Sequence, residues 1–192
     1  MSVSRETERL RAYASLLRKW NPAINLVAPS TLDRLETRHI ADSLHLAELA
    51  ESTPGGWLDL GSGGGLPGIV MAIMRPDFPL TLIESDQRKA AFLRSVVREL
   101  SLGAKVLCQR IEVLDGLDAA NISARALAPL PQLMAYVNRH LHPAGTAWLM
   151  KGRNWRAEVA QARNNWTFDL KPHPSATDPD AAILEITGIR HA

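Results

Sequence analysis

Two hydrophobic rhythms divide the chain. In the first, Leu10, Tyr13, Leu17 and Trp20 recur at helical spacing, with Arg9, Arg11, Arg18 and Lys19 on other faces. This predicts an amphipathic helix over residues 4–20, ended by Asn21-Pro22. A short connection, Ala23 to Val27, leads to Ser30, which with Asp33 reads as an N-cap with an acid in the first turn. Helical spacing then continues through Leu35, Ile40, Leu44 and Leu49 until Gly55-Gly56. Residues 1–54 are therefore expected to form a helical cap.

From residue 55 the rhythm alternates between short apolar runs and helical spacing. Strands are predicted over 57–60, 80–84, 105–109, 122–126 and 146–150, with helices over 66–74, 87–100 and 131–141 between them. A short turn or helix falls at 112–117, and the basic segment 151–165 has helical character. Trp166–Leu170 and Ala182–Ile189 are expected to pair antiparallel across a loop carrying Pro172, Pro174 and Pro179. Strand and helix in alternation imply an α/β fold: an open, mostly parallel sheet with helices on both faces. The whole chain, 1–192, reads as one domain, with 55–192 as its α/β core.

Residues 57–68, WLDLGSGGGLPG, change the picture from fold to chemistry. Here a strand meets glycines at 61, 63, 64 and 65, and an apolar helix follows Pro67. Glycines allow positive φ and a close approach of backbone to ligand, and they open a helix whose free N–H groups favour polar or anionic atoms. Asp59 precedes the glycines, and the next strand ends in Glu84, where an acid that holds ribose hydroxyls belongs. The ligand is therefore an adenosine cofactor. Asp59 paired with Glu84 resembles S-adenosylmethionine-dependent methyltransferases more than dehydrogenases.

Composition narrows the class. The chain is 46% hydrophobic and 22% charged, as in ordinary globular proteins. No apolar stretch is long enough to span a membrane and MSVSRETERLR is no signal peptide, so a cytoplasmic protein is expected. Cys108, the single cysteine, lies in an apolar segment and reads as a buried small hydrophobe. The net charge of +2 is unevenly spread. Arg88, Lys89, Arg94, Arg98, Lys105 and Arg110 face only Asp86 and Glu99 between residues 85 and 110, and 150–171 is also basic. That permits a nucleic-acid face as readily as a solvated one.

In an open parallel sheet the ligand lies across the carboxyl ends of the strands. Those ends carry Asp59 and Gly61, Glu84, Arg110-Ile111-Glu112, Arg125 and Lys151. Glu112 is placed to accept from an adenine amino group, Ile111 to pack on the ring, and Arg125 to meet a carboxylate.

Several stretches occur together and in order: Lys19-Trp20-Asn21, Asn25-Leu26, Arg38-His39-Ile40-Ala41-Asp42-Ser43, Asp59 to Gly68, Arg110-Ile111-Glu112, Arg125-Ala126 and Lys151-Gly152. From about residue 10 onward the chain resembles the RsmG (GidB) family, bacterial methyltransferases of small-subunit 16S ribosomal RNA. It departs from the family's usual pattern at Ala120 and Ala124 in the fourth strand. The resemblance implies a Rossmann-like methyltransferase fold, S-adenosylmethionine as methyl donor, and 7-methylguanosine in a loop of 16S rRNA as product. Carried over, the cofactor contacts fall on Gly61, Leu66, Ile111, Glu112 and Arg125, beside Gly63 and Glu84 from the turn and second strand.

Guanine N7 has a free lone pair and no proton, so no catalytic acid or base is expected. The N7 edge is poorly reached in A-form RNA, so the target should be unpaired. Phosphate contacts are expected from Arg88, Lys89, Lys151, Arg153 and Arg156. His39 and Asp42, three apart on one helix face, are expected to touch each other, with a direct RNA contact as the alternative. Trp57 and Trp148 are expected in the core, and Trp155 either stacks on a base or packs on the surface. His140 and His142 have no further ligand nearby, so no metal is expected. The expected partner is 16S rRNA or the small ribosomal subunit, met by a monomer. The alternatives are a methyltransferase acting on a small molecule or protein, a nicotinamide-dependent oxidoreductase, and a non-catalytic RNA-binding module. The oxidoreductase is disfavoured by Asp59 and by the lack of a Tyr-x-x-x-Lys set.

Overall fold

The computed structural model describes residues 4–50 and 55–192. Ser4 opens helix α1 (Arg5–Ile24) by accepting a hydrogen bond from the Thr7 N–H. The helix does not stop at Asn21-Pro22 as its sequence suggests. Pro22 is carried within the last turn, and Asn25 ends the helix in the left-handed region at φ 48°. Buried Asn21 accepts from Val27 N–H at 2.9 Å and so fastens the following segment to the helix end.

The helix expected from Ser30 is three different helical forms in succession. A 3-10 helix spans Pro29–Arg34, a π-helix spans Leu35–Ile40, and helix α2 runs Ala41–Leu49. Ser30 caps nothing; the position before the first turn is Ala28, with no side-chain cap. The expected cap boundary at residue 54 lies outside the described residues.

From there the elements alternate as the hydrophobic rhythm predicts. β1 (Trp57–Leu60), α3 (Gly68–Met74), β2 (Leu80–Ile83), α4 (Gln87–Glu99) and β3 (Lys105–Leu107) come first. β4 (Ala119–Arg125), α5 (Leu130–His140), β5 (Leu141–Lys151), α6 (Trp155–Ala162), β6 (Trp166–Pro174) and β7 (Ala182–His191) complete the chain. Asp86 caps α4 by accepting from the Arg88 and Lys89 N–H groups. β6 runs on through Pro172 and Pro174, which were expected in a loop. It is the terminal strand of the sheet, where a missing N–H interrupts no further ladder.

The sheet order is β3-β2-β1-β4-β5-β7-β6, parallel except for β7, which pairs antiparallel with both β5 and β6. The order reverses direction between β1 and β4, the switch point where a ligand crevice opens. Alternate residues of each buried strand feed two cores. Trp57, Leu80 and Leu82 join Tyr13, Leu17, Leu35, Ile69 and Phe92 on one face. Leu58, Leu60, Ile83 and Ile122 join Leu133, Met134 and Val137 on the other. The N-terminal helices thus share the core of the sheet, burying Tyr13, Leu17 and Leu35 completely. Cys108 is half-buried.

Candidate functional site

The glycine turn is held from two sides. Gly61, Gly63 and Gly65 have φ of 63°, 53° and 89°, in the left-handed region that disfavours any side chain. A Cβ at Gly61 would also sit 2.5 Å from Leu127 Cδ1. Glu84, at the end of β2, accepts from Gly63 N–H with one carboxylate oxygen and from Asp86 N–H with the other, both at 2.8 Å. From the opposite side, the hydroxyl of fully buried Tyr13 donates to the Gly64 carbonyl at 2.6 Å. Burial and the nearby Asp59 raise the Tyr13 pKa well above its ordinary value, so the hydroxyl stays a donor.

Asp59 lies behind the turn, not in the crevice. It is buried, and Oδ1 accepts from Ser123 Oγ at 2.6 Å, while that hydroxyl accepts from Trp57 Nε1 at 2.8 Å. Its Oδ2 has no hydrogen-bond partner of normal geometry among the described residues and lies against Gly68, where an added Cβ would come within 2.6 Å of it. Loss of solvation pushes its pKa up to about 6, against the opposing hydrogen bonds. Ser123 thus joins β4 to β1 beneath the turn.

A cavity of about 550 Å³ opens above this frame. Gly61, Gly63, Leu66, Glu84, Ile111, Glu112 and Arg125, all expected to serve one ligand, line this one space. Ile111 is buried and Glu112 exposed at the rim, in a single 3-10 turn after β3. Three side chains of α5 hold that turn: Tyr136 donates to Glu112 at 2.8 Å, Arg139 donates to the Leu114 carbonyl at 2.8 Å, and buried His140 lies 3.1 Å from the Ile111 carbonyl.

On the far side of the crevice, Arg125 docks on the π-helix. It donates to the His39 carbonyl at 3.3 Å and to His39 Nδ1. An arginine gives up no proton, so Nδ1 must accept and the imidazole carries its proton on Nε2. Nε2 then donates to Thr31 Oγ1 at 2.7 Å, and the Thr31 hydroxyl donates to the Ala28 carbonyl at 2.8 Å. Burial first, and the Arg125 cation second, lower the His39 pKa to about 4, which keeps the ring neutral in this role.

The expected His39–Asp42 contact does not form. The π-helix changes the angular phase between them, and Asp42 accepts from Ser175 Oγ at 2.7 Å and Thr177 Oγ1 at 2.9 Å instead. Sequence spacing assumes a regular helix, so only the structure reveals the neighbours of His39. The lining residues Thr31, Ala28, Leu127 and Tyr136 have no signature in the sequence, because apolar or lone polar residues on separate elements carry no local signal.

The basic residues fare differently from one another. Lys89 lines the cavity, whereas Arg88 is exposed and turned toward its own helix cap, Asp86, at 3.4 Å. Lys151 is nearly buried, paired with Glu158 at 2.6 Å and donating to the Ala128 carbonyl at 2.9 Å. Its charge is committed to holding the loop after β4. Arg153 and Arg156 are exposed, with Arg156 over the Trp155 ring. Trp155 is itself buried and packs beneath that arginine, which leaves no free face for a base. Trp57 and Trp148 are core residues, as expected.

Comparison with known proteins identifies the family and the fold. Residues 6–180 match the family model GidB, rRNA small subunit methyltransferase G. The chain is 76% identical to "Ribosomal RNA small subunit methyltransferase G" of Paracoccus denitrificans (strain Pd 1222), covering 100% of both chains. It is 49% identical to the protein of the same name from Cereibacter sphaeroides, covering 100% of this chain and 95% of that one. Among solved structures it is similar to a mutant of MtNAS in complex with S-adenosylmethionine, with TM-score 0.64 and 16% identity over 95% of this chain and 75% of that one. It is also similar to the glycopeptide N-methyltransferase MtfA complexed with sinefungin, with TM-score 0.62 and 12% identity over 78% and 94% of the two chains. At such identities these two likenesses establish the fold.

Proposed function

Because the chain belongs to the GidB family, rRNA small subunit methyltransferase G, we propose that its crevice binds S-adenosylmethionine and transfers the methyl group to guanine N7 in a loop of 16S rRNA. One observation carries the reading. A glycine turn whose left-handed backbone disfavours side chains, the carboxylate of Glu84 and an arginine with no carboxylate at hydrogen-bond distance among the described residues converge on a single cavity.

The residues present fit the cofactor. Glu84 is oriented by two backbone N–H groups and retains lone pairs for a vicinal diol. Ile111 offers an apolar surface to a purine ring, with Glu112 at its edge. Arg125, half-buried and held by His39, presents a cation where the carboxylate of an amino acid would sit. Gly61 and Gly63 let the backbone approach closely. Bound there, the cofactor supplies an electrophilic methyl group.

The chain itself needs no proton-transfer residue for this chemistry, since N7 attacks with an existing lone pair. Its work is alignment of acceptor and donor, which supplies on the order of 7–11 kcal/mol in well-oriented reactions. Lys89 at the rim, with Arg88 and Arg153 outside it, would meet phosphates, and Lys151 would position the 128–130 loop. Family membership favours ribosomal RNA over a small molecule or protein as the acceptor. We read the chain as one domain acting as a monomer in the cytoplasm; no helix among the described residues is long and apolar enough to cross a membrane.

The test is methyl transfer from labelled S-adenosylmethionine to 16S rRNA, offered free and within small subunits from cells lacking the activity. Labelled 7-methylguanosine at one loop position is the expected product. Cofactor binding with no labelled rRNA would move the assignment to another acceptor.

A further inference from the structure

A second cavity, of about 280 Å³, adjoins the first on the same edge of the sheet. Arg38, Arg125 and Ala126 line both. It lies past the ends of β4 and β5 and the start of β7, so it extends from the Arg125 end of the cofactor crevice, away from Glu84 and Ile111. A Cβ added at Gly152, in its wall, would meet nothing within 4 Å. The space suits one planar base whose ribose remains outside.

Three carboxylates line it, and two are committed. Asp42 accepts hydroxyl hydrogen bonds from Ser175 and Thr177 on its two oxygens, and Glu158 is neutralised by Lys151 at 2.6 Å. Asp178 is different. Its Oδ1 accepts from Asp180 N–H at 3.1 Å, but its Oδ2 lies 4.0 Å from Arg38 Nη2, too far for a hydrogen bond. The loop that carries it is fixed, because Ser175 Oγ accepts from the N–H groups of both Thr177 and Asp178 while donating to Asp42.

We propose that this second cavity seats the acceptor guanine, with Asp178 accepting from N1–H and the N2 amino group and Arg38 donating to O6. The inference rests on guanine-N7 transfer as read above. Two adjacent donors converging on one carboxylate distinguish guanine from adenine, whose N1 lone pair would face the same oxygen unfavourably. Holding the base by that edge leaves N7 free on the other.

The contact also acts during transfer. N7 supplies the electron pair for the new N–C bond while the pair of the broken C–S bond stays on sulfur, so the purine gains the positive charge. N1 keeps its proton but becomes more acidic, and its hydrogen bond to Asp178 strengthens as the charge develops. An interaction stronger in the transition state than in the ground state accelerates the step. Asp178 therefore stabilises the cationic base without removing a proton from it.

The experiment compares the wild type with Asp178→Asn, which keeps an acceptor for Asp180 N–H. Small subunits are reconstituted with guanosine or inosine at the acceptor position; inosine lacks the N2 amino group. The wild type is expected to favour guanosine by roughly 10- to 100-fold in kcat/KM, and the variant to lose that preference. Without cofactor, the wild type is expected to bind the nucleoside 7-methylguanosine more tightly than guanosine, and Asp178→Asn to bind them equally. S-adenosylmethionine affinity should not change. An unaltered guanosine-to-inosine ratio in the variant, or equal affinity of the wild type for the two nucleosides, overturns the assignment. A wild type that binds cofactor but makes no 7-methylguanosine sinks the underlying reading, and this inference with it.

Discussion

Arg125 and His39 are joined by two hydrogen bonds, one to the carbonyl of His39 and one to its ring, although 86 residues separate them in the chain. The pair locks the end of β4 to the π-helix and fixes the tautomer of His39, which in turn fixes Thr31. One wall of the crevice therefore depends on a histidine that must remain neutral.

This gives a pH dependence with a defined sign. His39 has an ordinary value of 6.5 and a folded value of about 4, so between them the unfolded chain binds more protons. Its contribution to stability is complete above pH 6.5 and is lost as pH falls toward about 4. In His39→Gln that loss is absent, so the stability deficit of the variant should shrink on acidification. Urea unfolding of both proteins at several pH values between 4 and 7.5 checks this. A deficit that stays constant with pH would contradict it.

Asp59 has the opposite sign. Its folded value of about 6 exceeds the ordinary 3.8, so its contribution is greatest below pH 3.8 and declines as pH rises through about 6. The stability of Asp59→Asn relative to the wild type should therefore improve as pH is raised from 4 to 7. The same unfolding series measures it, and a relative stability that falls over that range would count against a raised pKa.

Gly61→Ala should abolish cofactor binding. The added methyl group meets Leu127 at 2.5 Å, and the position has φ 63°. A destabilisation of about 1–3 kcal/mol is expected from backbone strain alone. Calorimetric titration with S-adenosylmethionine, alongside thermal unfolding, would show whether the protein stays folded while binding is lost. Wild-type affinity in a folded variant would refute the cradle.

Tyr13→Phe removes the buried donor to Gly64 and leaves a carbonyl without its partner. The expected cost is about 1–3 kcal/mol. Because that carbonyl belongs to the glycine turn, cofactor affinity should fall as well. A loss of stability with unchanged affinity would show that the turn holds its shape without Tyr13.

Lys151 and Arg153 stand close together in sequence but should respond differently. Lys151→Ala uncouples Glu158 and the Ala128 carbonyl and should cost about 1.5–3 kcal/mol of stability. Arg153→Ala should leave stability unchanged and lower the salt dependence of RNA binding by about one phosphate contact. Denaturant unfolding and RNA binding measured across salt concentrations separate the two. Equal salt slopes for the wild type and Arg153→Ala would remove that residue from the RNA face.

The alternating core, the glycine turn and the strand-end acids are legible in the chain alone, because each is encoded within a few neighbouring residues. Period-2 and period-3.6 spacing sorts residues onto faces, and a run of glycines marks backbone that side chains would obstruct. The strand-end positions of Gly61, Gly63, Glu84, Ile111 and Glu112 therefore follow from local spacing alone. Which charges are available emerges only from folding. Lys151 looks like a phosphate ligand in sequence and is bound to Glu158 in space, while Asp178, unremarkable in its loop, faces a cavity. Folding also decides the partner of His39, because a π-helical segment shifts the phase on which sequence spacing relies. Pairings between residues 86 or 133 positions apart, such as Arg125 with His39 and Ser175 with Asp42, are products of chain crossing and packing, for which local pattern holds no signal.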